Sequence, residues 1–196
     1  KETDIVSDLL ITTTHHDILF FTNRGRAFVL KSYEIPESGR QAKGTAIVNL
    51  LAVENDERIT AVIQVKEFRA DRYLFLGTKH GVVKKTPLSE FGNIRKNGLR
   101  AVNLDEDDEL IGVKFTDGEN RIMLGTRGGK AITFPEDGVR SMGRVARGVR
   151  GITLADGDEV VAMDVLKNDS EVLTVTEGGY GKRTTASEYR TQTRGG

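Results

Sequence analysis

A short pattern recurs four times along the chain, at intervals of about fifty residues. Each copy is an apolar run that leads into a turn opened by threonine and closed by glycine, and a second short run with lysine or arginine follows. The turns occupy residues 22–25, 78–81, 126–129 and 176–179. Because glycine tolerates the positive φ that tight hairpin turns require, each copy predicts a β-hairpin.

Two further landmarks recur in the same order after each of the first three hairpins. The first is a glycine with a leucine at the end of the segment, at residues 44–50, 98–104 and 148–154. The second is an acidic cluster that opens another apolar run, at residues 55–57, 107–109 and 157–159. Several strands in a repeat of about 40–50 residues are typical of propeller blades.

The alternation of apolar and polar residues predicts four strands in each repeat. In the second repeat they lie near residues 72–77, 82–86, 99–104 and 110–115, and in the third near 121–126, 131–134, 149–154 and 160–166. The long connection between the second and third strands predicts a single helical turn followed by a solvent-facing basic loop. We therefore predict an all-β fold of about four antiparallel four-stranded blades arranged around an axis.

We interpret residues 1–196 as one domain, in which both ends of the sequence fall inside a repeat. The expected units are approximately residues 1–16 (the end of a preceding blade), 17–66, 67–116, 117–168 and 169–196 (a truncated repeat).

Composition narrows the class of protein. The absence of cysteine excludes disulfides and thiolate zinc sites. No apolar run approaches the length of a membrane span, and the first residues do not resemble a signal peptide, so we expect a cytoplasmic protein without membrane contact.

The 29 basic and 29 acidic side chains cancel, but they are not evenly distributed. Acidic residues concentrate in the clusters described above, and basic residues concentrate in the glycine-flanked loops and on the strands that follow the hairpin turns. Stacking of the repeats should therefore segregate the charges into two rims. The predicted basic rim comprises Arg40, Lys43, Lys84, Lys85, Arg95, Lys96, Arg100, Arg140, Arg144, Arg147, Arg150, Lys182, Arg183, Arg190 and Arg194.

The sequence contains no convincing catalytic or metal-binding constellation. The adjacent histidines at 15 and 16 should point to opposite faces of a strand, and the acidic run at 105–109 lacks the ligand spacing of a calcium-binding loop. Neither a phosphate-binding loop nor a nucleophile elbow is present. We therefore expect no catalytic residue, metal or cofactor in this chain. A curved track of cations fits a polyanion with regularly spaced phosphates, and such contacts hold a backbone without reading bases.

Four motifs in this order closely resemble the C-terminal domain family of DNA gyrase A subunits, and the resemblance extends over essentially the whole chain. They are Val-Lys-Lys-Thr-Pro-Leu-Ser-Glu-Phe (83–91), Asp-Glu-Leu-Ile-Gly (108–112), Arg-Gly-Val-Arg-Gly-Ile (147–152) and Gly-Tyr-Gly-Lys-Arg-Thr (179–184). In that family, six such repeats form a β-pinwheel whose basic rim bends DNA around itself. The resemblance implies double-stranded DNA as the partner and a module that supports negative supercoiling.

The resemblance also implies a parent enzyme and its setting. That enzyme is a bacterial, nucleoid-associated, ATP-dependent type II topoisomerase, in which this domain joins the rest of the gyrase A subunit and the gyrase B subunit in a heterotetramer. ATP and Mg²⁺ would be used elsewhere in that assembly.

The chain departs from the family pattern at the hallmark gyrase A box, Gln-Arg-Arg-Gly-Gly-Arg/Lys-Gly. Residues 192–196 read Gln-Thr-Arg-Gly-Gly, so we expect the complete box to lie before residue 1. Two alternatives remain open at this point. One is the corresponding domain of topoisomerase IV, and the other is a protein-interaction propeller, although tryptophan-containing WD and kelch signatures cannot occur in a chain without tryptophan.

Overall fold

The computed structural model describes Val6 and residues 8–196. The predicted end of a preceding blade, residues 1–16, therefore lies partly outside the described residues.

Within the described residues the secondary structure consists of β-strands and short 3₁₀ helices, without an α-helix. The strands are β1 (Asp17–Thr22), β2 (Arg26–Lys31), β3 (Ile59–Val65), β4 (Tyr73–Thr78), β5 (Val82–Pro87), β6 (Leu99–Arg100), β7 (Leu110–Thr116), β8 (Arg121–Thr126), β9 (Ala131–Pro135), β10 (Val149–Arg150), β11 (Val160–Leu166), β12 (Glu171–Val175) and β13 (Gly181–Thr185). The 3₁₀ helices are Ser32–Glu34, Ile47–Asn49, Leu88–Phe91, Glu136–Gly138 and Ala186–Glu188.

The four predicted hairpin turns are confirmed. They join β1 to β2, β4 to β5, β8 to β9 and β12 to β13. Each turn glycine has the expected positive φ, between 74° and 82°. In each turn the threonine hydroxyl accepts a hydrogen bond from the amide four residues later, which explains why threonine opens every copy.

The third strands of the second and third repeats, β6 and β10, do not pair within their own repeats, and this corrects the predicted blade. Sheet 1 has the order β3-β1-β2-β6, and sheet 2 has the order β10-β5-β4-β7. Thus β6, from the second repeat, completes sheet 1, and β10, from the third repeat, completes sheet 2. Both strands span two residues instead of the six predicted. The alternation of apolar and polar residues identifies a strand. It does not show which repeat supplies the neighbouring strand, because strands pair through backbone groups that every repeat has.

The remaining sheets follow the same plan with fewer strands. Sheet 3 has the order β11-β8-β9, and the fourth repeat contacts it through an isolated bridge from Thr191 to Thr133 on β9. A second bridge joins Gly195 to Ile152, which follows β10. Sheet 4 contains β12 and β13. In the first repeat, the residues that correspond to β6, 45–46, form no strand and lead into the 3₁₀ helix Ile47–Asn49, and the described residues contain no strand before β1 with which they could pair.

The predicted helical turn after the second strand is present in all four repeats as a 3₁₀ helix. In the second repeat, Leu88 and Phe91 point from this turn into the core and are almost fully buried. The turn therefore anchors the start of the long connection to its own sheet.

Alternating side chains of each strand pack against different neighbouring layers. On β1, Leu19 and Phe21 pack in the cluster between sheets 1 and 2, whereas Ile18 and Phe20 pack on the opposite face. On β4, Leu74 faces the first cluster and Phe75 faces the cluster between sheets 2 and 3. Each fully buried side chain of this size contributes about 1.5–3 kcal/mol, so the sheets are held together chiefly by their faces.

The arrangement gives every sheet an inner and an outer edge. The fourth strands β3, β7 and β11 pack next to one another in chain order and form the inner side. The exchanged strands β6 and β10 lie at the opposite edge of their sheets. The long basic connections that lead into these strands are therefore placed on the outside of the molecule.

Candidate nucleic-acid interface

In the second, third and fourth repeats, the long connection contacts the outer edge of the preceding sheet. In the third repeat, the amide of Met142 donates to the carbonyl of Lys85 at 2.9 Å, and Val149 pairs with Val83 on β5. The fourth repeat repeats this contact on sheet 3, where the amide of Gln192 donates to the carbonyl of Thr133 at 2.9 Å.

The strand exchange brings the predicted cations together in groups on successive outer edges. Arg95, Lys96 and Arg100 lie on the connection beside sheet 1; Arg140, Arg144, Arg147 and Arg150 lie on the connection beside sheet 2; Arg190 and Arg194 lie on the connection beside sheet 3. All are solvent-exposed except Arg144, which is half-buried. The arrangement is a discontinuous positive track with one group for each sheet.

Four other predicted cations are exposed but lie outside these three groups. Lys182 and Arg183 lie on β13, where Arg183 forms an ion pair with Glu171 at 3.2 Å. Arg40 and Lys43 lie on the long connection of the first repeat. This connection also carries basic residues, like the other three, but the described residues contain no preceding sheet with which it could pair.

Lys84 is not a surface cation, which corrects its predicted place on the basic rim. Its side chain is 1% exposed, and its ammonium group donates to the carbonyls of Ala101 at 2.6 Å, Ala146 at 3.2 Å and Arg144. Burial, followed by the charge of Arg144, lowers the pKa of Lys84 to about 8, and nearby Glu90 opposes this shift. The amine is therefore still mainly protonated at pH 7. Its hydrogen bonds go to backbone, so it cannot reach a phosphate in this conformation.

Lys85 is also buried, and its place on the basic rim is corrected for the same reason. Its ammonium group donates to the carbonyl of Glu136 at 3.2 Å and lies 5.1 Å from the centre of the Tyr73 ring. The ring face and the carbonyl together stabilise the charge away from solvent. The sequence could not distinguish these two lysines from their exposed neighbours, because their acceptors come from distant segments.

Two arginines of the outer edge are paired with acidic residues from the second repeat. Arg147 contacts Asp105 at 2.9 Å, and Arg144 approaches Glu90 at 3.7 Å. Asp105 belongs to an acidic cluster that was expected on a separate rim. The predicted segregation of charge into two rims is therefore wrong at this point, because the connection of one repeat passes over the acidic residues of another.

The acidic clusters have a structural role that the sequence analysis did not assign. Glu57, Asp108 and Asp158 each fold back onto the hairpin turn of their own repeat. The side chain of Asp158 accepts from the amide of Gly128 at 2.8 Å. The hydroxyl of Thr126, with the Gly128 amide, holds the pKa of Asp158 below its usual value. The recurrence of an acidic cluster after each of these three turns was the available signal for this contact.

Comparisons with known proteins identify the family of this chain. The chain matches the family described as DNA gyrase C-terminal domain, beta-propeller, over residues 16–66, 72–117, 120–167 and 170–196. It is 50% identical over 198 residues to the DNA gyrase A subunit of Staphylococcus aureus, both in strain MRSA252 and in strain NCTC 8325. The alignment covers 100% of this chain and 22% of the relative, so the chain spans about a fifth of the curated proteins it matches.

Solved structures of two related kinds have a similar fold. The C-terminal domain of DNA topoisomerase IV matches with a TM-score of 0.87 at 32% identity, covering 93% of this chain and 57% of that one. A DNA gyrase A C-terminal domain matches with a TM-score of 0.77 at 26% identity, covering 94% of this chain and 59% of that one. None of the described residues belongs to a helix long and apolar enough to cross a membrane.

Proposed function

Because the chain belongs to the DNA gyrase C-terminal domain family, we propose that it binds duplex DNA along the outer edges of its sheets and bends it without reading base sequence. The observation that carries this proposal is the recurrence of exposed cations on equivalent connections beside sheets 1, 2 and 3. One such group would be an ordinary charged loop. Three groups on successive sheets form a track that suits a polyanion.

The geometry favours contacts to the phosphate backbone over contacts to bases. The cations lie on long connections at the sheet edges, and the described part of the chain has no helix that could enter the major groove. Bending a duplex smoothly by 40–90° over 20–30 bp costs on the order of 1–6 kcal/mol, which several phosphate contacts must offset. A track divided among several sheets supplies such contacts at intervals along a curved path.

We further propose the role of this domain in a larger enzyme. The parent protein would be the gyrase A subunit of an ATP-dependent type II topoisomerase that introduces negative supercoils, in a heterotetramer with the gyrase B subunit. This domain would present the wrapped DNA segment, while strand cleavage and the use of ATP and Mg²⁺ take place in other parts of the assembly. The proposed location is the bacterial cytoplasm, in association with the nucleoid. The 50% identity over the full chain to the gyrase protein of Staphylococcus aureus supports this assignment.

The corresponding domain of topoisomerase IV is the second candidate, since a solved structure of that kind matches with a TM-score of 0.87. The two candidates differ in the reaction of the reconstituted parent enzyme. Introduction of negative supercoils into relaxed plasmid supports the gyrase assignment, whereas decatenation without supercoiling supports topoisomerase IV.

The salt dependence of binding to two unrelated duplexes of equal length tests the proposed DNA contact. If about six phosphates are neutralised, log K should fall with log salt at a slope of about −5, and both duplexes should bind equally. Replacement of Arg144, Arg147 and Arg150 by glutamate should reduce the slope to about −2 to −3, because each lost contact removes about 0.9.

A charge-matched control separates the outer edge from the overall charge. Replacement of Lys66, Lys114 and Lys167 by glutamate changes the net charge by the same amount at positions outside the outer-edge connections. This control should retain most of the wild-type affinity. Equal weakening by both triple variants, a slope near zero, or strong preference for one duplex would refute the proposal.

A further inference from the structure

Although the fourth repeat has the exposed Lys182 at the same position, Lys84 differs from its counterparts in the first and third repeats. In the hairpin register it lies opposite Leu76, whereas Phe28 lies opposite Phe20 in the first repeat and Ile132 lies opposite Leu124 in the third. Phe28 and Ile132 are buried apolar residues that face the outer connection. The fold therefore accepts an apolar side chain at this position, and sheet packing alone does not require a lysine.

The ammonium group of Lys84 joins two connections from consecutive repeats. One acceptor, the carbonyl of Ala101, follows β6 in the second repeat. The other two, the carbonyls of Arg144 and Ala146, belong to the basic connection of the third repeat. Burial of an ammonium group is unfavourable unless it is hydrogen-bonded, and here all three of its donors have an acceptor.

The hydrogen bonds from Lys84 to these two carbonyls fix the backbone beside Arg144 and Arg147. Arg144 itself supplies one acceptor, and Ala146 directly precedes Arg147. The side-chain amide of Asn103 adds a further bond to the carbonyl of Val145 at 2.6 Å. Three consecutive carbonyls of the connection, at residues 144–146, therefore accept hydrogen bonds from side chains of the second repeat.

We propose that Lys84 is a positioning residue that holds the segment 143–148, the arginine loop, in the conformation that presents Arg144 and Arg147 to DNA. This inference rests on the proposed function. A loop that is already ordered in the free protein loses less conformational entropy when DNA binds. Without that order, the arginine side chains and their backbone would have to be immobilised during binding. Lys84 thus acts on DNA through the loop and does not touch a phosphate.

Two substitutions of Lys84 test this inference. Lys84→Met keeps the length of the side chain and removes the donor, and Lys84→Ile introduces the residue of the third repeat. Both should fold, and both should weaken duplex binding by about tenfold, because the two arginines must then be ordered during association. Lys167→Met is the control, since it removes one exposed lysine far from the arginine loop, and it should change binding by less than about twofold.

A double-mutant cycle distinguishes positioning from direct contact. In a background of Arg144→Ala and Arg147→Ala, the Lys84→Met substitution should have no further effect on affinity, because the loop then has no arginine to present. An undiminished effect in that background would refute the inference. The same holds if both Lys84 variants fail to fold, since the lysine would then serve the fold itself.

Amide hydrogen exchange gives a readout that does not depend on DNA. Exchange should accelerate in residues 143–148 of Lys84→Met and stay unchanged in residues 93–98, the corresponding loop of the second repeat. Unchanged exchange in the arginine loop would overturn the positioning role. If wild-type protein does not bind duplex DNA, the proposed function fails, while the exchange experiment still reports on the action of Lys84.

Discussion

Replacing Gly148 by alanine should disrupt the strand exchange at sheet 2. Gly148 directly precedes β10 and has a φ of +103°, a conformation that L side chains rarely adopt. A Cβ at this position would lie 2.5 Å from the carbonyl oxygen of Val83 and 2.9 Å from the side chain of Val82. Val83 cannot retreat easily, because it is buried and its backbone pairs with neighbours on both sides.

The two sources of strain can be estimated separately. The unfavourable backbone conformation costs about 1–2 kcal/mol. The clash with fixed backbone resembles overpacking of a core, which costs about 1–3 kcal/mol. Gly148→Ala should therefore lower the free energy of unfolding by about 2–5 kcal/mol, unless β10 separates from β5 and relieves part of the clash.

Two other glycines provide matched controls. Gly129 has a φ of +82°, but a Cβ added there would have no atom within 4 Å. Gly129→Ala should therefore lower the free energy of unfolding only by the cost of the backbone conformation, about 1–2 kcal/mol. Gly143 has ordinary φ and open space on the same connection as Gly148, so Gly143→Ala should stay within about 0.5 kcal/mol of wild type.

Urea unfolding followed by circular dichroism measures the three variants. The midpoint reports stability, and the slope shows whether a smaller cooperative unit unfolds after the exchanged strand is lost. The reasoning is refuted if Gly148→Ala is no less stable than Gly129→Ala, because the close approach of β10 to β5 would then be easily relaxed.

Two predictions concern the acidic residues. Asp105→Asn should release Arg147 and raise duplex affinity by about two- to fivefold in a titration, as expected for loss of an exposed ion pair, whereas Glu106→Gln, which removes an adjacent charge, should have a smaller effect. Asp158→Asn should be less stable than wild type at pH 7, because the turn holds the folded-state pKa of Asp158 below its unfolded value. The stabilisation is present above the ordinary aspartate pKa of about 3.9 and is lost as the pH falls through the folded-state value, so thermal melting of the two proteins should converge once the pH is below that value. A constant difference across this range would contradict the assignment.

The local elements could be derived from the amino-acid sequence because each depends on neighbouring residues. The turn glycines need a conformation that other residues avoid, and the threonine that opens each turn bonds an amide four residues later. Alternating apolar residues identified the long strands to within a residue or two, since burial on two faces repeats with the period of a strand. The all-β repeat fold follows from these features.

The site depended on contacts between repeats, which the pattern of any one repeat does not contain. Backbone hydrogen bonds carry no residue identity, so nothing in the residues of β6 or β10 indicated pairing with the preceding repeat. That exchange places the basic connections on the outer edge. It also determines which charged side chains are exposed and unpaired. Lys84 is buried and donates to carbonyls of the second and third repeats, and Arg147 forms an ion pair with Asp105 of the second repeat. The sequence determined which charges the chain has, and only the tertiary structure decided which of them remain available to DNA, because availability depends on which distant acceptors the fold brings within hydrogen-bonding distance.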